Sequence, residues 1–214
     1  MNLQWIITNY PKILGLAFTH LAIALPPILI AFVVALPLGW AAHRYPRVRE
    51  VIVGASSLLY VIPSLALFVV LPLILGTSVL APINVVVALS LYGIALQVRS
   101  TADAFDTVPR STREAAVAVG YTRRRRFWAV DLPVAAPVIL SGLRVVAAST
   151  ISLTSVGALI GVRSLGTLFT EGFQRSFSTE IIAGLGMTLL LALAVDLLLQ
   201  AIGYVALPWT RRRA

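Results

Sequence analysis

The chain has 214 residues, 59% of them hydrophobic and 12% charged, with a mean hydropathy of +0.94, where a soluble domain carries roughly 25% charged residues. That balance excludes an ordinary soluble fold and leaves one integral membrane domain of about four to six helices, each about 20 residues long. A net charge of +9 would suggest nucleic acid for a soluble protein, but here the arginines fill the short gaps between apolar segments, where they set topology and meet anionic lipid headgroups, so lipid is the expected partner and nucleic acid is not.

In chain order, Met1 to Gly15 mixes Trp5, Tyr10 and Lys12 with apolar residues, which suits a short helix in the outer interface. It lacks the basic start of a secretory signal, and the apolar stretch after it is too long for a signal core, so it is read as retained. Membrane spans are predicted at about 16–42, 51–75, 83–98, 134–160 and 180–208. Pro26, Pro27 and Pro37 fall in the first and Pro63 and Pro72 in the second, where missing N–H groups predict kinks. Gly76 to Pro82 is a turn without charge, Arg99 to Pro133 a long polar loop, and Gly161 to Thr179 an outer loop.

The prediction is therefore an all-α, polytopic protein with five spans in a single domain over residues 1–214. Alternating loops put Arg44, Arg47, Arg49, the arginines of 99–133 and Arg211 to Arg213 on one side, with only Lys12, Arg163 and Arg175 on the other. The positive-inside rule then places the N-terminus outside and the C-terminus in the cytoplasm. Trp40, Trp128 and Trp209 fall near the inner interface, the level that indoles favour. The sequence shows no internal repeat, and five spans cannot be halved, so a twofold-symmetric path would need a second chain.

Within the polar loop, Thr107 to Val119 is helix-compatible after Pro109. Ala115, Ala116 and Ala118 make a flat surface beside Arg110, Arg113 and Glu114, which stand at helical spacings. Gly120 permits a sharp change of direction, and a second short helix is predicted through Thr122 to Val130, stopping before Pro133. A flat, charged helix-turn-helix is a docking surface; the arginine run Arg123 to Arg126 by itself better suits a connector lying on the inner leaflet.

The pattern Glu114-Ala115-Ala116, three residues, Gly120 and then Leu132-Pro133 resembles the cytoplasmic loop of permease subunits of bacterial ATP-binding-cassette (ABC) importers. The likeness extends over nearly the whole chain. It implies that Glu114, Ala115, Ala116 and Gly120, with Arg110 and Arg113 beside them, dock a separate ATPase subunit. It also implies a second permease chain, identical or a sister, and an extracytoplasmic substrate-binding protein. The bacterial plasma membrane is the implied location. ATP and magnesium would be bound by the ATPase, since this chain has no Gly-x-x-x-x-Gly-Lys-Ser/Thr loop and no cofactor of its own is expected.

Within that family the chain is similar to the short permeases for osmoprotectants such as glycine betaine, choline, carnitine and proline betaine. Thr19-His20-Leu21, Pro37-Leu38-Gly39, Tyr60-Val61-Ile62-Pro63-Ser64, Ser164-Leu165-Gly166 with Gly172, and Asp196 carry that likeness. Val162-Arg163-Ser164 stands where such relatives have small residues, often glycine. Methionine-type permeases share the five-span plan and are the nearest rival.

Arg144 and Asp196 are the ionisable residues inside predicted spans. Arg144 lies about 16 Å beyond Pro133 and Asp196 about 18 Å before Pro208 at 1.5 Å per residue, so their depths match. A charge at that depth needs a partner or a watered path, and mutual pairing is the leading expectation. Tyr60, Tyr92, Phe68 and Phe105 are read as packing residues, because no clustered cation–π cage is visible. An ion-coupled carrier or channel would need a filter or discontinuous-helix site of its own. An enzyme would need a nucleophile, base or metal constellation, and without cysteine, with only His20 and His43, none is formed in the sequence.

Overall fold

The structure, a computed structural model, describes the backbone of residues 2–213 and the side chains of residues 2–210. Among these residues every regular element is a helix. Helix α1 runs unbroken from Leu3 to Arg44. The Asn2 side chain caps it by accepting from the Trp5 N–H, and Ile13, Leu16 and Ala17 pack against Leu165 and Leu168 of the outer loop. The separate N-terminal surface helix expected from residues 1–15 is thus part of the first span, because its apolar face finds a tertiary partner. At 42 residues and 1.5 Å per residue, α1 is about 63 Å long, roughly twice the hydrocarbon thickness, so its ends stand outside the bilayer core.

The second predicted span is two helices, α2 (Pro46–Val61) and α3 (Ser64–Leu75), bent by 102° at the break. Proline biases its predecessor away from the helical region, and Ile62 is extended, at φ −64° and ψ 127°. Helix α4 (Pro82–Asp106) outruns the predicted span by two turns, because Ala104 and Phe105 are buried at its C-terminal end against Ala135 and Ile139.

Helix α5 (Arg110–Ala118) and helix α6 (Arg123–Arg126) follow. A π-helical turn, Phe127–Asp131, leads straight into α7 (Leu132–Thr154). The predicted stop before Pro133 does not occur. In an α-helix the proline ring collides with the carbonyl four residues back; the wider turn, with Leu132 N–H bonded to the Phe127 carbonyl, makes room for it. A 3₁₀ segment, Ser155–Ile160, ends this helix. Helices α8 (Gly166–Gln174) and α9 (Ser178–Ala206) complete the bundle.

Among the described residues four helices are long and apolar enough to cross a membrane, or five if the bent pair is one span. Helix α4 is the centre: 61% of its most apolar stretch is buried, against 11% for α9. Helix α9 therefore turns Leu185, Leu189 and Leu193 outward, toward lipid or another chain. Small residues let the central helices close up: a Cβ on Gly39 would stand 2.6 Å from Thr101, and one on Gly142 2.0 Å from the Ser100 hydroxyl.

Candidate functional site

Helix α5 projects from the arginine-rich end of the bundle. Pro109, extended at ψ 138°, precedes it. The helix ends in a hydrogen-bonded Schellman pair, Tyr121 N–H to the Ala116 carbonyl at 3.0 Å and Gly120 N–H to that of Val117 at 2.9 Å. That closure places Gly120 at φ +84°, in the left-handed region that costs other residues about 1–2 kcal/mol. Nothing lies within 4 Å of a Cβ built there, so backbone geometry and not crowding calls for glycine.

The predicted docking residues divide into two groups. Glu114, Ala115 and Gly120 are exposed, and Glu114 accepts from Arg110 Nε at 2.8 Å in a solvent-facing pair. Ala116 is buried, and Arg113 is turned inward. Arg113 donates through Nε to Asp131 Oδ1 at 3.1 Å and through Nη2 to the Phe105 carbonyl at 2.6 Å. Arg126 donates to the other Asp131 oxygen at 3.3 Å. Asp131 is 6% exposed and sits in the π turn. One guanidinium thus fastens α5 to the C-terminal end of α4 and to the turn that leads into α7.

Asp131 carried no signal in the sequence beyond standing before Leu132-Pro133. Neither it nor the turn that orients it has a local sequence mark, since π turns arise where a helix must absorb an extra residue. Nearby, Arg49 binds Asp106 at 2.7 Å and Asp103 at 2.8 Å, and His43 Nδ1 contacts Asp106. These pairs tie the first turn of α2 and the last turn of α1 to the end of α4.

Inside the membrane, Arg144 and Asp196 meet in a two-pronged pair, Nε to Oδ1 at 2.6 Å and Nη2 to Oδ2 at 2.9 Å. Gln200 adds a bond to Asp196 at 2.8 Å. The pair joins α7 to α9, and about a third of each side chain remains exposed in the single chain. Such exposure at mid-span depth calls for cover by a second chain or contact with a watered path.

Other motif residues fix helix junctions. His20 Nε2 lies 3.0 Å from the Ile151 carbonyl, which the tightening to 3₁₀ geometry releases when Ser155 N–H bonds the Ser152 carbonyl. Gly166 passes so close to the Ser155 carbonyl that a Cβ would stand 2.0 Å from its oxygen, and the Ser164 hydroxyl accepts from Gly166 N–H at 3.1 Å. At the helix break, Tyr60 and Tyr92 pack edge to face with centroids 5.9 Å apart, and Tyr92 donates to the Ile62 carbonyl. Phe68 and Phe105 are fully buried.

At the opposite end, the sequence passed over a second charge cluster. Lys12 binds Glu171 of α8 at 2.6 Å and Glu180 of α9 at 3.1 Å. Glu180 is fully buried. The hydrogen bond from the Lys12 ammonium holds the Glu171 carboxyl below its ordinary pKa.

Comparison with known proteins follows the same lines. The family model described as "Binding-protein-dependent transport system inner membrane component" matches residues 35–212. The chain is 32% identical to the osmoprotectant import permease protein OsmW of Salmonella typhimurium, over 97% of each chain. It is 30% identical to the glycine betaine/carnitine/choline transport system permease protein OpuCD of Bacillus subtilis, over 85% of this chain and 79% of that one. Among solved structures, an amino acid ABC transporter with histidines superposes with a TM-score of 0.78 at 15% identity, covering 94% of this chain and 97% of that one. The inward-facing MetNI methionine ABC transporter gives 0.71 at 20% identity, covering 94% and 99%. At such identities these two establish the fold alone.

Proposed function

The chain belongs to the family of binding-protein-dependent transport system inner membrane components, and from that premise we propose that it forms half of the translocation path for a quaternary-amine compatible solute. It is the permease subunit of an ABC importer, a multi-pass inner-membrane protein. Glycine betaine, choline, carnitine and proline betaine are the substrates proposed. The observation that carries this is end-to-end similarity to an osmoprotectant permease, over 97% of both chains.

In this reading the N-terminus is outside and the arginine-rich loop cytoplasmic. An external binding protein delivers the solute, and a second permease chain covers Arg144, Asp196 and the outward leucines of α9. An ATPase subunit, which binds the ATP and magnesium, docks on the exposed face of α5 through Glu114, Ala115 and Gly120, with Arg110 at its edge. Closure of the ATPase moves α5, and the Arg113–Asp131 contact passes that movement to α7 while the Arg113–Phe105 bond passes it to α4. Ala116 and Arg113 therefore seat the docking helix, and its outer face meets the partner.

The test is uptake of labelled glycine betaine by proteoliposomes holding this chain with its ATPase and binding protein. Glu114→Arg breaks only an exposed pair and costs at most about 0.5 kcal/mol of stability, yet uptake should fall at least tenfold with loss of ATPase stimulation. Uptake that survives this change, or that proceeds without ATP, would sink the proposal. Thermal stabilisation of the binding protein by methionine and not by betaine would replace the substrate class and leave the permease reading standing.

A further inference from the structure

We propose that the arginine-rich end of the chain holds a binding site for one anionic phospholipid, with its phosphate in a basic cleft and an acyl chain in the aromatic groove beside it. The cleft, about 210 Å³, opens between the end of α1, α5 and the π turn, and Arg44, Arg113, Arg123, Arg126 and Asp131 line it. Four guanidiniums there face one carboxylate, and both oxygens of that carboxylate are taken by Arg113 and Arg126. Among the described residues Arg123 forms no ion pair, and Arg44 rests over the Tyr45 ring at 5.8 Å. Arg126 uses its Nε on Asp131, leaving its terminal amines among the five donors of a guanidinium. A cleft with this surplus of oriented N–H groups is complementary to a phosphate.

The second half of the site selects the class of anion. A groove of about 290 Å³ adjoins the cleft, sharing Trp40, Arg123 and Phe127 with it and adding Arg124 and Trp128. Trp128 is 66% exposed, a large apolar ring uncovered at the end of a span. Phe127 packs edge to face on both Trp40 and Trp128, so the three rings form one fixed wall. Tryptophans at the ends of spans sit at headgroup level, where an acyl chain meets its phosphate. A free phosphate would fill only the cleft and leave this wall uncovered; an amphiphile with an anionic head uses both halves. The exposed Arg110–Glu114 pair lies outside the cleft, so the docking helix can present its outer face while the site beneath it is occupied.

The experiment places the full-length chain in phosphatidylcholine nanodiscs and titrates in brominated-acyl phosphatidylglycerol, reading tryptophan quenching against brominated phosphatidylcholine. Quenching by the anionic lipid should reach half-maximum at a several-fold lower mole fraction. Trp40→Phe with Trp128→Phe should remove that component. Arg44→Gln and Arg123→Gln should each weaken the preference roughly fivefold, the effect of about one basic residue near a charged surface. Arg110→Gln removes the same charge at the same end outside the cleft and should change it less than twofold, and Arg175→Gln at the far end should leave it unchanged. Equal quenching by both lipids overturns the proposal, as does an Arg110→Gln effect as large as that of Arg123→Gln, which would mean a diffuse surface field. Displacement of the brominated lipid by millimolar inorganic phosphate would make this a soluble-anion site. Loss of the preference when the ATPase partner saturates the chain would make it a protein interface. Either result also overturns the lipid assignment.

Discussion

The two ends of the bundle solve the same problem with opposite charge. At the arginine-rich end one buried carboxylate, Asp131, is shared by Arg113 and Arg126; at the opposite end one ammonium, Lys12, is shared by Glu171 and Glu180. Each minority charge is a hub that joins separate helices. The Asp131 hub fastens a helix of nine residues to the body through Arg113. The Lys12 hub fastens α8 and the start of α9 to α1, where Leu165 and Leu168 already pack. In the proposed function the Asp131 hub carries movement, and the Lys12 hub reinforces a junction that also has an apolar core.

That contrast breaks first at Asp131. Asp131→Asn leaves two guanidiniums facing each other without a counter-charge, and should cost about 2 kcal/mol in thermal unfolding, as for a hydrogen bond to a charged group. Uptake should fall at least tenfold while the complex still binds ATP. If uptake instead tracks the modest loss of stability, the hub is only structural.

Lys12→Met makes the reciprocal change. It should cost about 1–2 kcal/mol, toward the lower end because Lys12 is a third exposed. Its effect on uptake should be no larger than the loss of folded protein, read by size-exclusion yield. A strong transport defect in well-folded protein would erase the distinction between the two ends.

Acid sharpens the same comparison. The Glu171 carboxyl is held below its ordinary pKa by the Lys12 hydrogen bond, so its contribution is complete above the unfolded value of about 4.3. It is lost as pH falls through the lower folded value. The stability gap between wild type and Lys12→Met should therefore be constant near neutrality and narrow below about pH 4, as followed by thermal unfolding across pH. A gap that widens in acid would contradict the assignment.

The smallest effect belongs to Gly120. Gly120→Ala should cost about 1 kcal/mol through its left-handed backbone, confined to α5. Amide exchange should quicken in α5 and stay unchanged in α4 and α7. Protection lost along α7 would show that the cap, and not Arg113, holds the helix in place.

Much of this could be read from local sequence. Apolar runs located the spans, Gly120 located the turn, and the fixed rise of a helix put Arg144 and Asp196 at one depth, where the structure joins them. The misreadings cluster where tertiary packing overrides a local signal. Pro63 breaks its helix while Pro72 sits inside the next one, and Pro133 stops nothing because a π turn precedes it. Arg113 looked like a surface charge on the strength of its neighbours at 110 and 114; which side of α5 turns inward depends on where Asp131 and the Phe105 carbonyl lie.

By itself the sequence determined that this is an all-helical membrane bundle and which loop carries the family likeness, since hydropathy and motif spacing are properties of stretches of about 20 residues. Only the tertiary structure decided which charges meet. Lys12 and its two carboxylates are separated by 159 and 168 positions, and Arg113 and Asp131 by 18 with a turn between them. An ion pair forms at about 3 Å, and that distance is set by how the helices pack.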